Sequence, residues 1–406
     1  MEREPRHPGF CAAAARVTLV VGLFAALVLP ASGQEPSGFQ PAWEATADLW
    51  RTRVENEGVV GSSLAFLSPS GQLLAFETHG LADEASGRPV TEGTIYHWAS
   101  ITKTLTGIAI MQLRDRGLLD LADPIVDYVP ELLAVHDPYG RLKEITLRHL
   151  LSHSSGFRAS TFPWGGAEAW HPHEPTNWEQ LVAMLPYTTL QFPPGERFSY
   201  SNPGIVFLGQ VIEGLTGEDW EVYVDKNILR PLGMTRSYFD VSPYHLVRHR
   251  SNNYLVTDGQ AVAQGLDFDT GITVSNGGLN APVPDMVRYL RFLGGSVDPD
   301  SDEARVLDRE SLEEMWRMEM PFEDGSGGLG LTYFLHDDAG RRFVGHTGGQ
   351  KAFVSFFYVD PATGAAAIAA FNSLGTGDPP RPDTRQILAD VRTALFRSVF
   401  PLFSDH

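Results

Sequence analysis

The chain has 406 residues, 43% hydrophobic and 20% charged, with 40 glycines and 28 prolines, the balance of a globular protein with material for a sizeable core. Its net charge is −19 and no basic cluster occurs, which argues against nucleic-acid binding and fits a soluble surface. The one cysteine, Cys11, leaves the rest of the chain without a disulfide, a thiol nucleophile or a cysteine metal site.

Arg6 and Arg16 precede the apolar run Val17 to Leu29, and Pro30 and the small residues Ala31-Ser32-Gly33 follow it. This pattern predicts a secretory signal over 1–33, cleaved before Gln34. The run is shorter than the roughly 20 residues that span a bilayer. The protein is therefore expected to be exported, periplasmic or secreted, with no stable membrane anchor after cleavage.

From Pro41 to Asn56, apolar residues Trp43, Ala47, Trp50 and Val54 keep helical spacing. Ser63 to Leu67 and Leu73 to Glu77 read as strands joined by the turn Ser68-Pro69-Ser70-Gly71. The middle of the chain is helical in pattern. Its predicted helices are Ile101 to Arg116, Leu147 to Ser152, Trp178 to Leu185, Gly204 to Leu215, Trp220 to Ile228 and Asp285 to Leu293, with long loops such as Pro163 to Pro175 and Ser242 to Gly265 between them. Three strands follow, Arg342 to Val344, Phe353 to Val359 and Ala365 to Phe371. A last helix runs from Thr384 to Phe400.

Strands at both ends and helices between them predict an α/β fold of the α+β type. One antiparallel sheet is drawn from both chain ends and flanked by helices, with a mostly helical lobe inserted. The expected division is one domain over 34–406, with a sheet lobe of 34–95 plus 330–406 and a helical lobe of 96–329.

Three short motifs carry chemistry. In Ser100-Ile101-Thr102-Lys103 the spacing is nearly one helical turn, so the lysine lies on the face of the serine. A serine hydroxyl needs a base, and an amine serves once burial or a helix N-terminus lowers its pKa. The chain has four lysines, so an accidental S-x-x-K has odds of roughly one in four; alone the motif is weak. Tyr200-Ser201-Asn202 offers a phenol that can relay a proton and an amide that can bind a carbonyl. Gly345-His346-Thr347-Gly348-Gly349, at a strand end, lets a substrate approach backbone N–H groups closely.

In this order, S-x-x-K, Y-S-N and H-T-G-G resemble the signature motifs of the class C β-lactamase and D-alanyl-D-alanine peptidase-like superfamily, a close relative of the S-x-x-K, S-D-N and K-T-G pattern. Leu150-Leu151-Ser152-His153-Ser154-Ser155-Gly156, Pro231-Leu232-Gly233-Met234 and Gly277-Gly278-Leu279 are similar to further landmarks of that family. The similarity covers roughly residues 40 to 400. It implies Ser100 as nucleophile, Lys103 as its base and Tyr200 as proton relay. It also implies Asn202 as a contact of substrate amide and lysine, and the Ser100 and Gly349 N–H groups as an oxyanion hole beside His346, Thr347 and Gly348. No metal and no cofactor are implied.

His346 stands where β-lactamases of this group carry a lysine that attracts the drug's carboxylate, and a largely neutral imidazole does this less well. The expected reaction is hydrolysis of a small ester, amide or short peptide through an acyl-enzyme, as in esterases and D-amino-acid peptidases. A true β-lactamase or D-alanyl-D-alanine carboxypeptidase is the alternative, and a non-catalytic penicillin-recognising module is the second. His171-Pro172-His173-Glu174 does not have the spacing of a helical zinc site and reads as a surface loop. His153 reads as structural, and Trp164, Trp170 and Trp178 as either cleft wall or lobe core. Oligomeric state is not readable.

Overall fold

The computed structural model describes residues 35–158, 175–266 and 269–404. The expected signal segment, the motif at His171 to Glu174, and Trp164 and Trp170 lie outside the described residues.

A nine-stranded antiparallel sheet organises the molecule. From edge to edge its order is Arg88–Pro89, Leu73–Asp83, Gly61–Leu67, Ala366–Phe371, Phe353–Val359, Arg341–Gln350, Phe334–Asp338, Gly327–Leu329 and Met320–Pro321. The two ends of the chain meet at its centre, where Ser62 pairs with Phe371 and Leu67 with Ala366. The period-two pattern explains why both faces are covered. Along the strand Phe353–Val359, Val354, Phe356 and Tyr358 enter one core, while Phe353, Phe357 and Val359 enter the other.

The first core lies under the helices Phe39–Glu57 and Thr384–Ala394, where Trp43, Trp50, Phe66, Ile387 and Val391 interlock. The second joins the sheet to the helical lobe. Its axis is the helix Thr102–Asp115, buried continuously from Thr102 to Leu113. Its apolar residues pack on every side, and its buried polar side chains are hydrogen-bonded within the interior. Trp178 packs edge-on against Phe207 at 6.4 Å and so belongs to the lobe core.

Several elements differ from the sequence reading. The predicted helices ending at Ile228 and Phe400 stop at Val224 and Ala394 and continue as π turns, Asp225–Leu229 and Leu395–Val399. The stretch read as a loop from Ser242 holds a hairpin, Tyr254–Thr257 with Gln260–Ala263, and Ser373–Gly375 pairs parallel to its first strand. A third sheet joins Ile95–His97, Leu279–Pro282 and Tyr238–Phe239. These strands are two to four residues long, too short to show a period. Among the described residues no helix is long and apolar enough to cross a membrane.

Candidate active site

The site begins at a turn held from three directions. Ser100 lies in the 3₁₀ turn Ala99–Ile101, just before the α-helix Thr102–Asp115 rather than inside it. Trp98 donates its backbone N–H to Leu279 (2.8 Å) and its indole N–H to Ala281 (2.8 Å). Thr102 Oγ1 donates to the Ala99 carbonyl (2.6 Å) and accepts the Leu279 N–H (3.0 Å). Ala99 has φ 48°, the left-handed region that a residue with a Cβ avoids. Strain of about 1 kcal/mol there persists only because the surroundings over-determine the turn. Ser100 itself is half-buried, its neighbours Ala99 and Ile101 fully so.

One turn on, Lys103 is wholly buried. Its amine lies 3.1 Å from Ser100 Oγ and donates to the Asn276 carbonyl at 2.8 Å. Burial lowers its pKa well below 10.5. A neutral amine can donate a hydrogen bond to the Asn276 carbonyl and still present its lone pair to the Ser100 hydroxyl.

Tyr200 reaches the same place from a loop. Ser201, next in sequence, caps the helix Asn202–Thr216 by accepting the Gly204 N–H at 3.2 Å, and Pro203 occupies the first turn. The helix start therefore fixes where the loop ends. The Lys103 nitrogen stands 5.0 Å from the Tyr200 ring centre, which sets the phenol beside the Ser100–Lys103 pair. Burial raises the phenol pKa, so it stays protonated. Asn202 opens the helix beside it. The two hydrogen bonds of Lys103 go to Ser100 and Asn276, and not to the Asn202 amide.

The strand Arg341–Gln350 supplies the third side. A Cβ on Gly348 would stand 2.2 Å from the Trp98 carbonyl, so only glycine lets this strand pack on the nucleophile turn. Gly349 faces open space and is exposed. Pairing with Phe334–Asp338 ends at Gly345, whereas pairing with Phe353–Val359 runs on to Gln350. Residues 346–350, Thr347 among them, thus have a strand neighbour on one side only among the described residues. His346 is buried, with Nδ1 2.6 Å from the Thr347 carbonyl and Nε2 without a partner. Burial and the Lys103 charge lower its pKa to about 3. His97 and the side chain of Gln350, at the strand's end, are 3.0 Å apart.

Sequence reasoning did not single out Asn276 or Phe334, and it gave His153 only a structural place. Asn276 acts through its carbonyl, which any residue has. Phe334 stacks on Tyr200 at 6.3 Å and tilts over His346 at 4.9 Å. His153 grips the loop on both sides of Tyr200: its carbonyl accepts the Ser199 N–H (2.8 Å) and its Nδ1 accepts the Ser201 N–H (3.0 Å). Its ring lies 4.4 Å from that of Tyr200, and its backbone is left-handed with φ 50°. Burial, with the charges of Lys103 and His346, lowers its pKa. Burial thus disfavours the charged forms of Lys103, His153, Tyr200 and His346 alike.

Comparison with known proteins identifies the family of the chain. The sequence profile of the family described as "Beta-lactamase" matches residues 46–392. A "Beta-lactamase" of Yersinia enterocolitica is 27% identical over 249 residues, 61% of this chain and 58% of that one. "Esterase EstB" of Burkholderia gladioli is 31% identical over 180 residues, 42% of this chain and 45% of that one. The chain spans about half the length of these two curated relatives. Among solved structures, the octameric penicillin-binding protein homologue from Pyrococcus abyssi superposes with a TM-score of 0.70 at 26% identity, over 86% of this chain and 77% of that one.

Proposed function

The chain belongs to the β-lactamase family, and from that premise we propose that it is a serine hydrolase opening a small ester or amide through an acyl-enzyme on Ser100. The observation that carries this reading is the buried Lys103 amine, 3.1 Å from a half-buried serine hydroxyl and held by a carbonyl.

In the first half-reaction the Lys103 amine takes the Ser100 proton as Oγ bonds the substrate's carbonyl carbon. Collapse breaks the bond to the leaving group. That group takes a proton from the Tyr200 phenol, which is refilled from the Lys103 ammonium. Water then attacks the acyl group, its proton passes to the same pair, and Ser100 leaves with a proton restored. The N–H groups of Ser100 and Gly349 stabilise the oxyanion, and Asn202 and Thr347 orient the substrate's polar groups. His153 is a positioning residue that holds Tyr200 on Ser100.

Esters and D-amino-acid amides rank above β-lactams. A histidine with a pKa of about 3 offers no cation to a drug's carboxylate at neutral pH. A panel of p-nitrophenyl acetate, D-alanyl p-nitroanilide and nitrocefin, with Ser100→Ala as control and intact mass as a second readout, tests this. Repeated turnover of the ester, absent in the control, is expected, with nitrocefin the poorest. Preferred turnover of nitrocefin would restore the β-lactamase reading, and a lasting adduct without turnover would mark a sensor.

A further inference from the structure

Among the described residues, Phe198, Phe322 and Phe334 are half-buried yet belong to neither core. They pack on one another instead. Phe198 meets Phe322 edge-on at 5.4 Å, and Phe322 tilts on Phe334 at 6.2 Å. Phe334 in turn stacks on Tyr200 at 6.3 Å with the two planes 8° apart. The strip is therefore continuous with the phenol of the acyl centre. Separate segments build it: the loop before the helix Asn202–Thr216, the turn after the strand Met320–Pro321, and the first residue of the strand Phe334–Asp338. One half-exposed phenylalanine needs no explanation, but three in a row against a catalytic group do.

The open strand edge 346–350 orients this strip relative to a substrate. Gly349, with its oxyanion N–H, lies towards one end of that edge and His346 at the other. Phe334 tilts over His346 at 4.9 Å, so the strip closes the His346 end. On the hydrolase reading, on which this inference rests, Tyr200 gives its proton to the leaving group. That group, and not the acyl part, then lies against Phe334. The local charges narrow its kind. Arg197, beside Phe198, lies over the Phe192 ring at 4.6 Å. Glu323 and Asp324 follow Phe322 and are exposed, so an anionic leaving group would meet carboxylates at that turn. A flat neutral ring instead gains stacking contact along the strip.

We propose that the leaving group of the substrate is a neutral aromatic ring, that of an aryl ester or aryl amide, seated on Phe334 and Phe322. The bond from the carbonyl carbon to the aryl oxygen or nitrogen breaks, that atom takes the Tyr200 proton, and a neutral phenol or arylamine departs over Phe334. Phe334 and Phe322 determine specificity, because they touch the departing ring and not the reacting bond.

Acetate esters with different alcohols test it, because all of them make the same acetyl-enzyme. The readout is kcat/KM divided by the rate of uncatalysed hydrolysis, which removes the alcohol's own reactivity. On this scale 2-naphthyl acetate is expected to exceed hexafluoroisopropyl acetate about ten-fold. Phe322→Leu, separated from Tyr200 by Phe334, should cut that preference about three-fold, and Phe334→Leu repeats the test if the first variant does not fold. Equal values for the two esters, a preference for acetylcholine, or a preference unchanged in the folded variant would overturn the proposal. Equilibrium dialysis of 2-naphthol against the Ser100→Ala protein reads the subsite without turnover. Saturable binding tighter than that of cyclohexanol, and weakened by Phe322→Leu in the same background, is expected; equal binding of the two alcohols overturns the proposal. If intact mass shows that no ester acylates Ser100, the hydrolase reading fails, and 2-naphthol binding alone then decides the aromatic subsite.

Discussion

The strand Phe353–Val359 and the helix Thr102–Asp115 lie equally deep, yet they bury opposite chemistry. The strand is buried at all seven residues and fills both sheet faces with hydrocarbon and aromatic rings, apart from Ser355. The helix carries Thr102, Lys103, Thr104, Thr106 and Gln112 into the interior, each donating to a carbonyl: Ala99, Asn276, Ile101, Ser275 and Val306. Burying hydrocarbon favours folding, whereas burying a basic group opposes it unless the group becomes neutral. One element holds the fold together and the other uses that stability to set protonation states.

Lys103→Met gives the sharpest test of this contrast. Ester kcat should fall on the order of 10⁴–10⁶-fold, close to the effect of Ser100→Ala, because base and nucleophile act as a unit. The melting temperature should hold or rise, since a desolvated amine gives way to an apolar chain of similar length. Near-normal turnover, or a collapse in stability, breaks the comparison.

Phe356→Ala is the counterpart in the strand, on the face packed by the two outer helices. It should cost about 3–5 kcal/mol in chemical denaturation, with kcat per folded molecule close to wild type. A catalytic loss without destabilisation would mean that the strand's packing tunes the site directly.

His153 lies between these extremes, and its grip on Tyr200 predicts a smaller effect. His153→Ala should lower kcat roughly ten- to hundred-fold with KM little changed. His153→Asn should recover part of the loss, because asparagine tolerates a positive φ and offers an acceptor to the Ser201 N–H. Equal losses in both variants would leave His153 with a packing role only.

The smallest effect is in the pH profile. Activity should rise with pH as Lys103 loses its proton, along a limb below the ordinary 10.5. His346, with its pKa near 3, should add no inflection between about pH 5 and 8. Stability should fall with acid. His97 and His346 have folded pKa values of about 3 against an ordinary 6.5, so the unfolded chain takes up protons first. Their contribution is complete above about 6.5 and is lost as pH drops towards 3. His346→Gln should make that decline shallower in acid-titrated melting curves, and an unchanged slope would mean His346 is solvated.

Some of the site was readable and some was not. The Ser100 to Lys103 proximity follows from three residues on a helical pitch, whereas the helix expected from Gly204 begins two residues earlier, at Asn202, with Ser201 as its cap. Gly348 was legible only as a flexible strand end; that it admits the Trp98 carbonyl depends on a turn some 250 residues away. The hairpin at Tyr254 escaped notice because strands of four residues give a period no room to show.

The sequence by itself determined the longer helices, the strands at the two chain ends and the spacing that sets an amine over a hydroxyl, because these follow from backbone periodicity over a few residues. Only the tertiary structure decided that Tyr200 meets that pair, that the Asn276 carbonyl holds the lysine, and that His346 is uncharged. Desolvation belongs to the space that other segments fill, and no residue carries it in its own name.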